Sequence, residues 1–387
     1  MSSLIRIRGS VVLCVAACIL GASASAIAAP PPVVKTFDGP GAGNNGATNQ
    51  GTLGLGINDF GVIVGLIRDA NDVRHGFLRD PNGRFTLFNH PDGGSGPGQG
   101  TRVTGLNALG AVSGSVRDSN NFDQPFVRDP DGNFFTVGSS IANFAGGNGN
   151  AINLWGAMVG NYLSLADDQS ILFHYHGFIR QPNGKITFFD PPGSQVTEIP
   201  AAAAINDAGA VTGDFWVCSQ DLSSCSVHGF IRSPNGKYTV IDVKGAGTDG
   251  YSGQGTYPQG INDLGDISGQ YVDSNSVFHG FVRTAAGHIT TFDVPTTCTT
   301  TATPPADCAF NGTYAAGINV LGTVAGIYFG EDENAHGFYR TANGTITTFD
   351  VPRAGYQTQP ISLNDWGQIT GVAFDVNFVT HGLLVTP

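Results

Sequence analysis

Cations are scarce in this chain, which holds only four lysines and fourteen arginines against 30 acidic residues in 387. Nucleic acid and anionic lipid are therefore disfavoured as partners, because both need clustered positive charge. Glutamate is scarcer still, with three copies, Glu198, Glu331 and Glu333. The formal charge of −12 is thus almost all aspartate, a turn residue before it is a catalyst. No zinc-protease helix, Gly-x-Ser-x-Gly elbow or Cys-x-x-Cys pair occurs. Neither a cofactor nor a metal site is expected. No apolar run beyond the leader could span a bilayer, and no window carries a helix-length 3.6-residue period. An all-β chain is what remains.

Glycine, by contrast, is abundant at 56 residues, and apolar content is 41 %. That pairing argues for a globular protein full of tight turns and against disorder. Residues 1–28 read as a secretory signal: Arg6 and Arg8 lead, an apolar run follows, and Ala26-Ile27-Ala28 offers a cleavage pattern. Cleavage leaves a single domain, 29–387, in a secreted or periplasmic protein. Lipoprotein anchoring at Cys18, within "VAAC", is the minor alternative. Four cysteines survive cleavage as two local couples, Cys218 with Cys225 and Cys298 with Cys308. In an exported chain these read as disulfides, each worth about 2–3 kcal/mol.

The string Asn-x-x-Gly-x-x-x-Gly occurs seven times, starting at Asn58, Asn107, Asn153, Asn206, Asn262, Asn319 and Asn364. Spacings of 45 to 57 residues match the blade of a four-stranded antiparallel propeller unit. The last copy has no fourth strand, while "VVKTFD" near the amino terminus is a fourth strand with none before it. The expected fold is a seven-bladed β-propeller whose last blade the N-terminal strand completes; a right-handed solenoid is the alternative.

"HGFIRQPNGKITFFD" puts His176 fourteen residues before Asp190 around a Pro-Asn-Gly turn. Antiparallel register makes them face each other. The same offset joins His75 to Asn89, His228 to Asp242, His279 to Asp293 and His336 to Asp350, and places His381 against Asp38. The second copy lacks both members, with Gln124 and Gly138 instead. Joint loss fits a structural hydrogen bond, since a buried acceptor left without its donor costs about 1–3 kcal/mol. One active site has no use for six dyads. The recurrent Arg79, Arg128, Arg180, Arg232, Arg283 and Arg340 are expected to pair with Asp or with carbonyls of an adjacent blade.

The export leader, the "GINDxGxIxG"-type string and "HGFxR" together resemble the HAF-repeat family of bacterial extracellular proteins. The string reads "HGF" in five copies and "HGL" in the last, and the second copy, with "QPF", departs. The resemblance spans nearly all of 29–387, implies an exported repeat protein, and brings no catalytic residues with it. For ligand contact the candidates are the glycine-rich connections ending at Gln50, Gln99 and Gln254, and the turn-tip residues Trp155 and Trp366. The expected function is a monomeric, non-enzymatic binding or scaffold module for a polysaccharide or surface protein. A propeller-fold hydrolase or lyase acting on carbohydrate is the alternative, for which unique aspartates such as Asp249 and Asp307 are available.

Overall fold

The computed structural model describes residues 30–46, 50–138, 141, 143–165, 173–193, 201–219, 223–295, 312–330, 332, 334–353 and 355–387. Within them the chain is all-β, with 28 strands and a short 3-10 turn at Gly250–Ser252. The strands pair in antiparallel sets of four. The first set is Gly51–Ile57, Ile63–Arg68, Arg74–Arg79 and Phe85–Phe88. The second is Gly100–Leu106, Val112–Arg117, Asp123–Arg128 and Phe134–Thr136, and the third is Phe144–Ile152, Met158–Leu165, Phe173–Arg180 and Ile186–Phe189. Further sets lie in 201–241, 255–292 and 313–349. The last joins Gln357–Leu363, Ile369–Phe374 and Thr380–Thr386 to Val33–Phe37, which pairs along Thr380–Thr386 from Val33↔Thr386 to Phe37↔Gly382.

Each repeated residue has a local reason. The first turn is closed by Gly61 N donating to Asn58 O (2.9 Å), with Gly61 at φ +72°, a left-handed backbone that disfavours any residue with a Cβ. In the second strand a Cβ on Gly65 would strike the Leu53 carbonyl and the Phe77 ring. That missing side chain is what lets Phe77 lie flat in the core. Phe77, Phe126, Phe178, Phe230, Phe281 and Phe338, one per set, are wholly buried, and Leu383 takes the place in the last set. Burying such a ring is worth about 1.5–3 kcal/mol. In the third strand Gly177 makes room for Phe189, whose ring a Cβ would strike.

Neighbouring sets meet where the third strand of one touches the first strand of the next, with single parallel bridges such as Arg74↔Gly100, Val227↔Gly255 and Gly51↔Thr380. Cys218 and Cys225 form a disulfide across the strand pair Val211–Cys218 and Cys225–Arg232. The Cys298–Cys308 couple lies outside the described residues. Among the described residues no helix is long and apolar enough to cross a membrane.

Candidate functional site at the Asn-turn end

The six His positions all find their partners. His176 Nδ1 lies 3.0 Å from Asp190 Oδ1, and the corresponding separations are 3.0 Å for His75–Asn89, 2.7 Å for His228–Asp242, 3.0 Å for His279–Asp293, 2.9 Å for His336–Asp350 and 2.8 Å for His381–Asp38. The sequence also carried a second carboxylate that went unread, an aspartate six residues before the histidine. Asp69 approaches His75 Nε2 at 3.4 Å, Asp273 approaches His279 at 3.8 Å and Asp375 approaches His381 at 3.9 Å, while Asp332 reaches His336 at 3.0 Å from a shorter loop. The bond to Asp293 raises the His279 pKa and the bond to Asp38 raises that of His381, in both cases against the opposing effect of burial. These histidines join hairpin tips to fourth strands.

The arginines differ from expectation. Instead of pairing with an adjacent set's carboxylates or carbonyls, Arg79 donates to the carbonyl of Asp80 (3.5 Å) and lies over the Phe37 ring at 4.7 Å. Arg128 over Phe88 and Arg340 over Phe292 repeat this cation–π contact.

The three glutamines also differ. Gln50, Gln99 and Gln254 are buried, and their side chains turn inward. Gln50 Oε1 accepts from Asn45 N (3.1 Å) while its Nε2 donates to Ala70 O (3.1 Å); Gln99 bonds Gly96 N and Ser119 O, and Gln254 bonds Asp249 N and Ser274 O. Each amide fastens a glycine-rich connection to the tip of the next hairpin and is not free for a ligand. A buried amide needs such partners, and composition alone could not tell a lock from a contact. Gln50 and Asn58 also bracket Gly51–Ile57, a seven-residue strand. The glutamine and tryptophan positions therefore stand at opposite ends, roughly 20 Å apart. They cannot form one ligand face.

The tryptophan end opens to solvent. There each repeat asparagine donates from Nδ2 to the carbonyl of the next: Asn58 to Asn107 (3.2 Å), Asn107 to Asn153 (2.9 Å), Asn153 to Asn206 (3.1 Å) and Asn206 to Asn262 (3.1 Å). Asn262 continues to Asn319 (2.9 Å), Asn319 to Asn364 (3.1 Å) and Asn364 to Asn58 (2.9 Å). Within its own turn each Oδ1 accepts a backbone N–H, as Asn206 does from Ala210 at 2.9 Å. The asparagines border a cavity of about 260 Å³.

Four carboxylates, Asp59, Asp207, Asp263 and Asp365, follow these asparagines and line the same opening. Leu154 N donates to Asp207, Asp207 N to Asp263, Val320 N to Asp365 and Asp365 N to Asp59, at 2.8 to 2.9 Å. Burial pushes the Asp207 and Asp365 pKa values up, and the neighbouring carboxylates add to the shift. No His, Arg, Lys or Glu lines the opening among the described residues.

One position further on, Phe60, Leu109, Trp155, Leu264, Leu321 and Trp366 are 62 % to 76 % exposed. Only the fourth repeat breaks the series, with Ala208. The two tryptophans thus belong to a crown of six apolar side chains around a polar mouth. The signal was present in the sequence as the third residue of every Asn-x-x-Gly string.

No family model matches this chain, and no curated protein matches it. Solved structures do. A streptogramin B lyase is similar with a TM-score of 0.54 and 14 % identity over 92 % of this chain and 98 % of the other. Virginiamycin B lyase from Staphylococcus aureus is similar at 0.54 and 13 %, over 92 % and 100 %. The β-propeller domain of the Trilobed protease from Pyrococcus furiosus is similar at 0.54 and 8 %, over 86 % and 94 %. At such identities the likeness extends to the fold alone, and it makes this chain an all-β protein of propeller architecture.

Proposed function

We propose that the chain is an exported, non-enzymatic binding module, a seven-bladed β-propeller of the HAF-repeat kind in which Val33–Phe37 completes the last blade. The hand-on from Asn364 to Asn58, alike in geometry to the six before it, supports closure. The leader at 1–28 and the Cys218–Cys225 disulfide support a secreted or periplasmic location, with Cys18 anchoring as the lesser alternative. The ligand is a polysaccharide or surface protein met by the crown. One observation carries this reading: six large apolar side chains stay exposed around a mouth of asparagines and aspartates. Apolar rings beside amides and carboxylates suit a sugar, which offers C–H faces and hydroxyls together.

A hydrolase or lyase acting on carbohydrate is the second reading, favoured by the two raised carboxyls of Asp207 and Asp365 at the mouth. Their repetition in Asp59 and Asp263, with no cation nearby, weighs against it. The test is a glycan array probed with residues 29–387 and with a Trp155→Ala/Trp366→Ala variant. The binding reading expects intact polysaccharide to be retained, and retained less by the variant. Shortened chains or unsaturated ends in the eluate would favour the enzyme. Binding to no glycan removes the carbohydrate ligand.

A further inference from the structure

One junction breaks the repeat. At the fourth-strand position facing Leu78, Ile179, Ile231, Val282 and Tyr339, the residue is Thr86, Thr187, Thr239, Thr290 and Thr347, and Lys35 stands there in the N-terminal strand. Only the second set has an aromatic, Phe135, facing Val127. Two residues on, where Phe37, Phe88, Phe189 and Phe292 carry the next set's arginine, this set has Val137. Arg180 consequently lies over Phe135 at 5.4 Å instead. It is 8 % exposed, the one buried arginine among the described residues. Among the described residues no carboxylate lies within 4.0 Å of its guanidinium, whose Nη1 donates to Gln181 O at 3.2 Å.

These changes open an apolar pocket of about 210 Å³ between the second and third sets. Phe135, Trp155, Leu109, Pro130 and Pro182 wall it, and Arg180 lines it. Asp129, also on the lining, has both oxygens bonded to Asn133 at 2.8 and 2.9 Å. For scale, an engineered cavity of about 150 Å³ takes up benzene. Rings and prolines hold such walls rigid, so little freedom is lost on binding. A desolvated guanidinium with no counter-ion favours an anion, and its fork matches a carboxylate.

We propose that this pocket binds a planar aromatic ring bearing a carboxylate, the ring between Phe135 and Trp155 and the acid on Arg180. It shares Leu109 and Trp155 with the crown but does not depend on the crown's ligand. Few polar groups line it, so a hydroxylated ring such as a uronate is excluded on the same chemistry.

Calorimetry on residues 29–387 tests the assignment with 3-phenylpropionate, 3-phenylpropanol and glucuronate. The expected result is saturable binding of phenylpropionate, with the alcohol about tenfold or more weaker because the charge-assisted bond is gone. Arg180→Gln should bring the acid down to the alcohol's affinity. Phe135→Thr, which installs the residue five other sets hold, should weaken both compounds while leaving glycan retention unchanged. Should Arg180→Gln fail to fold, the acid-against-alcohol comparison and Phe135→Thr still decide. Equal affinity for acid and alcohol, binding of glucuronate as tight as phenylpropionate, unchanged affinity in Phe135→Thr, or no saturable heat with phenylpropionate would each overturn it.

Discussion

His381 Nδ1 stands 2.8 Å from Asp38 Oδ1 although 343 residues separate them in sequence. The same bond elsewhere spans 14 residues within one hairpin. Val33–Phe37 therefore gives Thr380–Thr386 what a local turn gives the other third strands, and the Phe37 ring lies over Gly382 as the Phe189 ring lies over Gly177. Deleting residues 30–38 leaves a bare strand edge beside buried Leu383. We expect a lower melting temperature and dimers or larger species on a sizing column, with partial rescue by a peptide covering 30–40. Asp38→Ala alone should cost no more than about 1 kcal/mol, since that pair is exposed. A deletion variant with unchanged melting and monomeric elution would contradict this.

Asn206 donates to Asn262 O at 3.1 Å, accepts from Ala210 N at 2.9 Å, and is buried. Asn206→Ala leaves both partners unsatisfied. The expected loss is about 1–3 kcal/mol per orphaned group, read as a shifted urea midpoint at constant slope. Asp207→Asn, one residue away, keeps an oxygen to accept from Leu154 N and should shift the midpoint far less.

His279 has a pKa above the ordinary 6.5 because it hydrogen-bonds Asp293. A raised folded pKa means that the folded state favours the proton. Its stabilisation is then full below the unfolded value and fades as pH rises through the folded one. The gap in melting temperature between the native chain and His279→Gln should be widest near about pH 5.5 and narrow by about pH 8.5. A gap that widens with pH would refute the assignment.

Asp214 has the opposite sign. It is buried, and desolvation raises its pKa from 3.8 to about 7. The folded state holds the proton while the unfolded chain releases it, so Asp214 costs stability increasingly as pH climbs from the unfolded value to the folded one. Asp214→Asn should raise the melting temperature at about pH 8, by up to a few kcal/mol in stability, and change little at about pH 4. Equal effects at both would mean that the carboxyl is not held protonated.

Period and register were legible because both are fixed by backbone geometry. The glycines of each Asn-x-x-Gly-x-x-x-Gly string, the fourteen-residue His–Asp offset and the stray N-terminal strand all report which backbones approach closely. What the string could not show is a bond between repeats. Asn58 reads as a turn former, and nothing local says that its amide reaches Asn107. Gln50 looked like a contact residue because it ends a glycine-rich connection, yet burial reverses its role. Phe135 is one aromatic among many until its register against Val127 reveals five threonines at the equivalent place.

The amide locks at Gln50, Gln99 and Gln254 hold the final residues of each glycine-rich connection, and Thr52, Thr101 and Thr256 accept from Gly39, His90 and Val243 at its beginning, so the stretch between these two ties is where added residues disturb least. Repeat length, which varies from 45 to 57 residues, can grow there without disturbing a strand. Foreign segments, from an epitope to a small reporter, would be accommodated upstream of these glutamines, which makes the far end of the molecule a natural place to decorate it.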